Sequence, residues 1–166
     1  FDIPLLGCVL SRRADNIAKS ELFQNPILAA LFRALGGFPV RRGTIDRQAI
    51  GEAVRRLKAG HLLAMYPEGT RSKDGRLQPP KPGIGMMIAL SGVKVVPAYI
   101  HGTAPVRPFR RVTVIFGKPL DFKAQIEEIE RVEKEGINPK IVYATISQEI
   151  MNEIAVLERT SAETDR

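Results

Sequence analysis

Short apolar runs alternate along this chain with stretches in which apolar residues return every three or four positions. The first rhythm belongs to buried strands, the second to helices that pack along one face. A short helix is predicted over residues 2–10, opened by Asp2, because an acidic side chain suits a helix N-terminus. Residues 16–18 read as a short strand. Asn25 followed by Pro26 is a cap with proline at the first helical position. The helix it opens, to about residue 35, is apolar nearly all round through Ile27, Leu28, Leu31, Phe32 and Leu35. Such a helix is buried or faces lipid, and burial is the expectation. Gly36 and Gly37 end it, and residues 38–40 form a strand.

Asp46 then caps an amphipathic helix with Ile50, Ala53, Val54 and Leu57 on one face, stopped by Gly60. Residues 62–66 are a buried strand that feeds a loop over 67–82. A helix follows over 83–90, then strands over 94–100 and 112–116 and helices over 123–134 and 139–157. The last helix carries Ile146, Ile150, Ile154 and Leu157 on one stripe. The tail, residues 160–166, is polar and expected to be disordered. Strands alternating with helices predict an α/β fold, a layered domain with a largely parallel central sheet flanked by helices. In such sheets ligands bind at loops leaving the carboxyl ends of the strands, which singles out the loop after residues 62–66.

Composition narrows the partners. The chain has 166 residues, 44% hydrophobic and 26% charged, which is ordinary for one globular domain. Its single cysteine, Cys8, excludes an internal disulfide framework and reads as a small buried hydrophobe in a helix. No stretch reaches the roughly 18 uncharged apolar residues that a membrane span requires. The net charge of +7 is unevenly spread. Residues 1–120 hold 19 Lys/Arg against 7 Asp/Glu, whereas residues 121–166 hold 6 against 11. A basic body favours nucleic acid, an acidic membrane surface or a phosphorylated substrate. Aromatic residues are only 6%, no RNA-binding or zinc pattern occurs and the basic residues are scattered, so no nucleic-acid partner is expected.

The loop after residues 62–66 reads Pro67, Glu68, Gly69, Thr70, Arg71, Ser72. Gly69 lets a backbone approach a ligand, Thr70 and Ser72 supply hydroxyls, and Arg71 supplies a planar fork suited to phosphate. Glu68 has no direct use toward an anion. It is expected to hold the loop or Arg71, or to accept a bond from a substrate hydroxyl. Gly83, Ile84 and Gly85 open the next helix in the manner of a helix-dipole anion site. No nucleotide P-loop pattern occurs.

Four ordered blocks resemble the glycerolipid acyltransferase family, most closely the bacterial 1-acyl-glycerol-3-phosphate acyltransferases. Residues 67–72 match the family's Phe-Pro-Glu-Gly-Thr-Arg-Ser signature, with Tyr66 in place of phenylalanine. Residues 37–43 resemble the block ending in an arginine, here Arg42, although Arg41 stands where aspartate is usual. Residues 95–100 resemble its hydrophobic Val-Pro block. Residues 1–6 resemble the end of its His-x-x-x-x-Asp block, with Asp2 as the aspartate. Lys19 sits where the family often has a lysine-bearing strand end. The family's histidine would precede Phe1, so residues 1–159 are expected to be an acyltransferase domain lacking its N-terminal part and inactive alone. His61 and His101 match no block and are expected to be structural or exposed.

The resemblance implies acyl transfer from acyl-CoA or acyl-carrier protein, as co-substrate, to the free hydroxyl of lysophosphatidic acid, giving phosphatidic acid. No cofactor or metal is implied. Asp2 would orient the imidazole base, and Lys19, Arg42, Glu68, Gly69, Thr70 and Arg71 would form the acceptor site. An anionic membrane surface, at the cytoplasmic face of the cell membrane, is the implied location, with peripheral attachment or an anchor in the missing segment. A non-catalytic phospholipid-binding relative, or an enzyme for another glycerolipid acceptor, is the alternative.

Overall fold

The computed structural model of the chain describes residues 2–40, 46–69, 76–102 and 112–164. These fall into two compact units, one formed by residues 3–65 and the other by residues 66–166 together with residues 1–2.

The first unit contains helix α1 (Asp2–Val9), strand β1 (Ala14–Lys19), a 3-10 turn (Ser20–Phe23), helix α2 (Pro26–Ala34), strand β2 (Gly37–Val40), helix α3 (Arg47–Lys58) and strand β3 (Leu62–Ala64). The strands form a parallel sheet in the order β2-β1-β3. In its register Lys19 lies opposite Val40, and Asn16 lies between Gly37 and Ala64. The predicted caps form as expected. Asn25 Oδ1 accepts from the Ile27 and Leu28 amides, and Asp46 Oδ1 accepts from those of Gln48 and Ala49. Each cap satisfies backbone donors that a helix start leaves unpaired. The α3 face named from its periodicity packs inward, with Ala49, Ile50 and Ala53 buried beside Phe38 and Ala18 in the unit's core.

Two expectations in this unit are corrected. Helix α2 is not buried: only Ala29 is inaccessible, and Ile27 is 78% exposed, Leu31 53% and Leu35 59%. The sheet needs only one side of a helix, and α2 carries apolar residues on the other side as well. Cys8 lies in α1 as predicted but is exposed rather than buried.

The second unit holds helix α4 (Gly83–Ser91), strands β4 (Ala98–His101) and β5 (Thr113–Phe116), helix α5 (Lys123–Lys134) and helix α6 (Lys140–Thr164). Here β4 and β5 pair antiparallel and form a sheet of their own. Only Val95 of the segment before β4 is held in a bridge, to Leu120, so the strand expected from residue 94 begins at Ala98. The α6 stripe packs as predicted, with Ile146, Ile150 and Ile154 buried. The helix continues through Thr164, so residues 160–164 are helical rather than part of a disordered tail. Ser161 within that stretch is buried.

Helices α4 and α6 touch backbone to backbone at Gly85. A Cβ at Gly85 would stand 2.0 Å from the Tyr143 carbonyl oxygen, so no side chain fits. The Gly85 amide donates to Ser147 Oγ at 3.1 Å, and that hydroxyl donates to the Tyr143 carbonyl at 2.9 Å. The amides of Ile84 and Met86 are taken by Lys81 and Pro82 carbonyls. The anion site expected at Gly83, Ile84 and Gly85 is therefore corrected: Gly85 serves a tight helix crossing, and the Ile84, Gly85 and Met86 amides are spent within the protein.

Candidate acceptor site

A parallel sheet brings the carboxyl ends of its strands to one edge, because every strand enters from the opposite side. Lys19 is the last residue of β1 and its side chain is exposed at that edge. Val40, its partner in register, ends β2 two positions before Arg42 in the chain. The sheet thus brings the Lys19 strand end and the start of the Arg42 segment side by side, although they are 21 residues apart in sequence. Neither position reveals this alone. Arg42 itself, like Thr70 and Arg71, lies outside the described residues. Asp2 is the first residue of α1, and its side chain also lies outside what is described.

The stem of the signature loop is described. The Lys81 amide donates to the Pro67 carbonyl at 2.8 Å, and the Gln78 amide donates to Glu68 Oε2 at 3.0 Å. These two bonds close the loop across its base, on both sides of residues 70–75. Glu68 is therefore a loop clamp, one of the two tasks the sequence suggested for it. Gly69 adopts φ +66°, a left-handed conformation that favours glycine, and its amide closes a turn onto the Tyr66 carbonyl at 3.0 Å. A Cβ there would also stand 3.2 Å from Lys81 Cγ. Gly69 shapes the turn, and any closeness to a ligand is additional.

At the amino end of the same sheet is a charge network that periodicity does not reveal. Asp15, in β1, is buried and its Oδ2 accepts from Arg56 Nη1 at 2.9 Å and lies 2.9 Å from His61 Nδ1. Arg56 also donates to Glu52 at 2.6 Å, and its guanidinium lies 4.7 Å from the centre of the Phe38 ring. Burial opposes the Asp15 charge, but bonds from Arg56 and His61 outweigh it and hold the carboxyl below its ordinary range. Two hydrogen bonds from Arg55, against some burial and with Arg56 assisting, draw the Glu52 pKa down to about 2. The partners lie 41 and 46 residues from Asp15 along the chain. The nearest sequence signal is the run Arg55, Arg56 leading into His61. His61 is both structural and exposed, its side chain 53% accessible with one nitrogen on Asp15. His101 ends β4, its ring 6.4 Å from that of Tyr99.

Comparison with known proteins bears directly on the loop. A family described as Acyltransferase matches residues 1–101. The chain is 35% identical over 96 residues to the chloroplastic 1-acyl-sn-glycerol-3-phosphate acyltransferase BAT2 of Brassica napus, covering 55% of this chain and 27% of that protein. It is 28% identical over 149 residues to the 1-acyl-sn-glycerol-3-phosphate acyltransferase of Bacillus subtilis, covering 84% of this chain and 73% of that one. Among solved structures it resembles the 1-acyl-sn-glycerophosphate (LPA) acyltransferase PlsC of Thermotoga maritima, with a TM-score of 0.60 and 32% identity. That match covers 81% of this chain and 59% of the other. The chain thus spans about a quarter of the Brassica relative and nearly three quarters of the Bacillus one. Because the family match runs through the parallel sheet, the Glu68 loop and the Val-Pro segment, more than half of the chain, the protein belongs to the acyltransferase family.

Proposed function

We propose that this protein moves a fatty acyl group from acyl-CoA or acyl-carrier protein to the free hydroxyl of 1-acyl-glycerol-3-phosphate, giving phosphatidic acid. One observation carries the reading. The Glu-Gly-Thr-Arg loop follows a strand of the parallel sheet and is clamped at its base by Glu68 and Gln78, within a chain of the acyltransferase family.

Arg71, Arg42 and Lys19 bind the acceptor phosphate in this reading, with Thr70 and the Gly69 backbone as further donors. A guanidinium suits phosphate because its planar fork can make two parallel charge-assisted bonds. Holding the phosphate fixes the hydroxyl beside its base, and positioning of this kind is worth about 7–11 kcal/mol. Asp2 is the residue that would orient the imidazole base the resemblance implies, which is neither His61 nor His101 and whose removal of the hydroxyl proton contributes roughly 100- to 10,000-fold. The hydroxyl oxygen then attacks the thioester carbonyl directly, and the thiol leaves with no acyl-enzyme intermediate. The amphiphilic acceptor places the reaction at an anionic membrane surface, at the cytoplasmic face.

Acceptor binding tests the reading without requiring turnover. Calorimetric titration of the purified chain with lysophosphatidic acid below its micellar range is expected to give saturable binding. Arg71→Ala weakens it at least tenfold, about 1.4 kcal/mol. Unaltered affinity in that variant would remove Arg71 from the site. Where acyl transfer is assayed, it should favour lysophosphatidic acid over glycerol-3-phosphate.

A further inference from the structure

We infer that the outer face of α2 is a docking surface for an anionic lipid bilayer. At about 100° per residue, Ile27, Leu31, Leu35 and Leu28 fall within a single arc of about 100° around the helix axis. All four are exposed, Ile27 at 78%. Ala29 is on the opposite side, buried against the protein, so the helix has one face for the fold and another with no partner among the described residues. Leu22 in the preceding 3-10 turn is exposed as well.

Cations stand near both ends of the helix. Lys19 immediately precedes the turn that leads into α2. Arg33 lies in the last helical turn, on the Ala29 side of the helix by the same periodicity and 5.7 Å from the centre of the Phe23 ring, and its carbonyl accepts from Arg13 Nη2 at 2.9 Å, which holds Arg13 at that end. Arg12, the neighbour of Arg13, donates to the Gly60 carbonyl. Among the described residues none of these four cations is paired with a carboxylate. Residues 3–65 as a whole hold ten Lys/Arg against four Asp/Glu. A short helix with an apolar face and cations near its ends that no described carboxylate pairs is the chemistry of an interfacial helix, which sinks its apolar side chains between headgroups while flanking cations meet lipid phosphates.

Charge decides between lipid and a second copy of the chain. A two-fold contact through α2 would set the cationic rim of one copy against the same rim of the other, and like charges in contact oppose association. Anionic lipid reverses the sign. The choice of lipid also draws on the acceptor proposed above, itself an amphiphile. Lys19 belongs to both surfaces, so docking through α2 would bring the carboxyl edge of the sheet close to headgroup level.

The test is flotation of the purified chain with vesicles of equimolar phosphatidylglycerol and phosphatidylcholine, containing neither lysophosphatidic acid nor thioester. Failure here is thereby separate from failure of the acceptor assay. The chain is expected to float with these vesicles, to bind pure phosphatidylcholine at least tenfold more weakly and to detach as salt rises from about 0.1 M to about 1 M. Ile27→Glu with Leu31→Glu should lower partitioning at least tenfold while the far-ultraviolet spectrum and melting temperature stay unchanged. Ile27→Ala with Leu31→Ala, which adds no charge, should lower it by a smaller factor. Undiminished flotation of both double variants would overturn the proposal. So would equal, salt-insensitive binding to both vesicle types, or a dimer in solution that these substitutions dissociate while vesicle binding is absent.

Discussion

The two ends of the parallel sheet treat charge in opposite ways. At the amino end, Asp15, Arg56, His61 and Glu52 satisfy one another. At the carboxyl end Lys19 is exposed with no carboxylate partner among the described residues, opposite the strand that leads to Arg42. The two sites are four residues apart on β1, about 13 Å at the usual rise of a strand. Histidine beside aspartate would ordinarily invite a catalytic reading. Here that pair sits at the amino end of the sheet, opposite the end where Lys19 is exposed, with Arg56 bound to the same carboxylate. A closed network stabilises a fold, whereas a cation left open to solvent is available to an anion.

This contrast can be broken at either end. The largest effect is expected from Asp15→Ala, which leaves Arg56 without its buried partner and should destabilise the unit by about 3 kcal/mol in urea unfolding. A loss below about 0.5 kcal/mol would show that the network contributes little. Lys19→Ala should do the reverse, weakening binding of lysophosphatidic acid by about tenfold, or 1.4 kcal/mol, with stability unchanged. Equal loss of stability and affinity would erase the distinction between the two ends.

Glu68→Ala is expected to have an intermediate character. Removing the acceptor of the Gln78 amide costs about 1 kcal/mol locally. Because the clamp acts on the loop rather than the ligand, acceptor affinity should fall while Glu68→Gln, which retains an acceptor oxygen, recovers most of it. Failure of the glutamine variant to recover affinity would mean that the Glu68 charge itself matters to the ligand.

The smallest effect is acid dependence. Asp15 and Glu52 both have folded-state values below their ordinary ones, so their stabilisation is complete above the unfolded values and is lost as pH falls through the folded ones. For Glu52 this window runs from about 4.5 down to about 2. Unfolding free energy should decline across it, and the decline should be shallower in Glu52→Gln. Identical slopes would place the acid-sensitive group elsewhere.

Much of the fold was legible in local sequence because its causes are local. Asn25 and Asp46 cap their helices through amides two and three residues away, and the α6 stripe repeats at the helical period. The Glu68 loop was legible as a block because its residues are contiguous. Strand direction was less so, since an isolated run such as residues 113–116 has the same pattern whether its neighbour is parallel or antiparallel. Tertiary structure alone decided what depends on distant partners. It spent the Gly85 amide on Ser147, 62 residues away, rather than on an anion, and it joined Asp15 to Arg56 and His61. It also left the apolar face of α2 without a partner among the described residues, because hydrophobicity states that a residue prefers to leave water and not what will cover it.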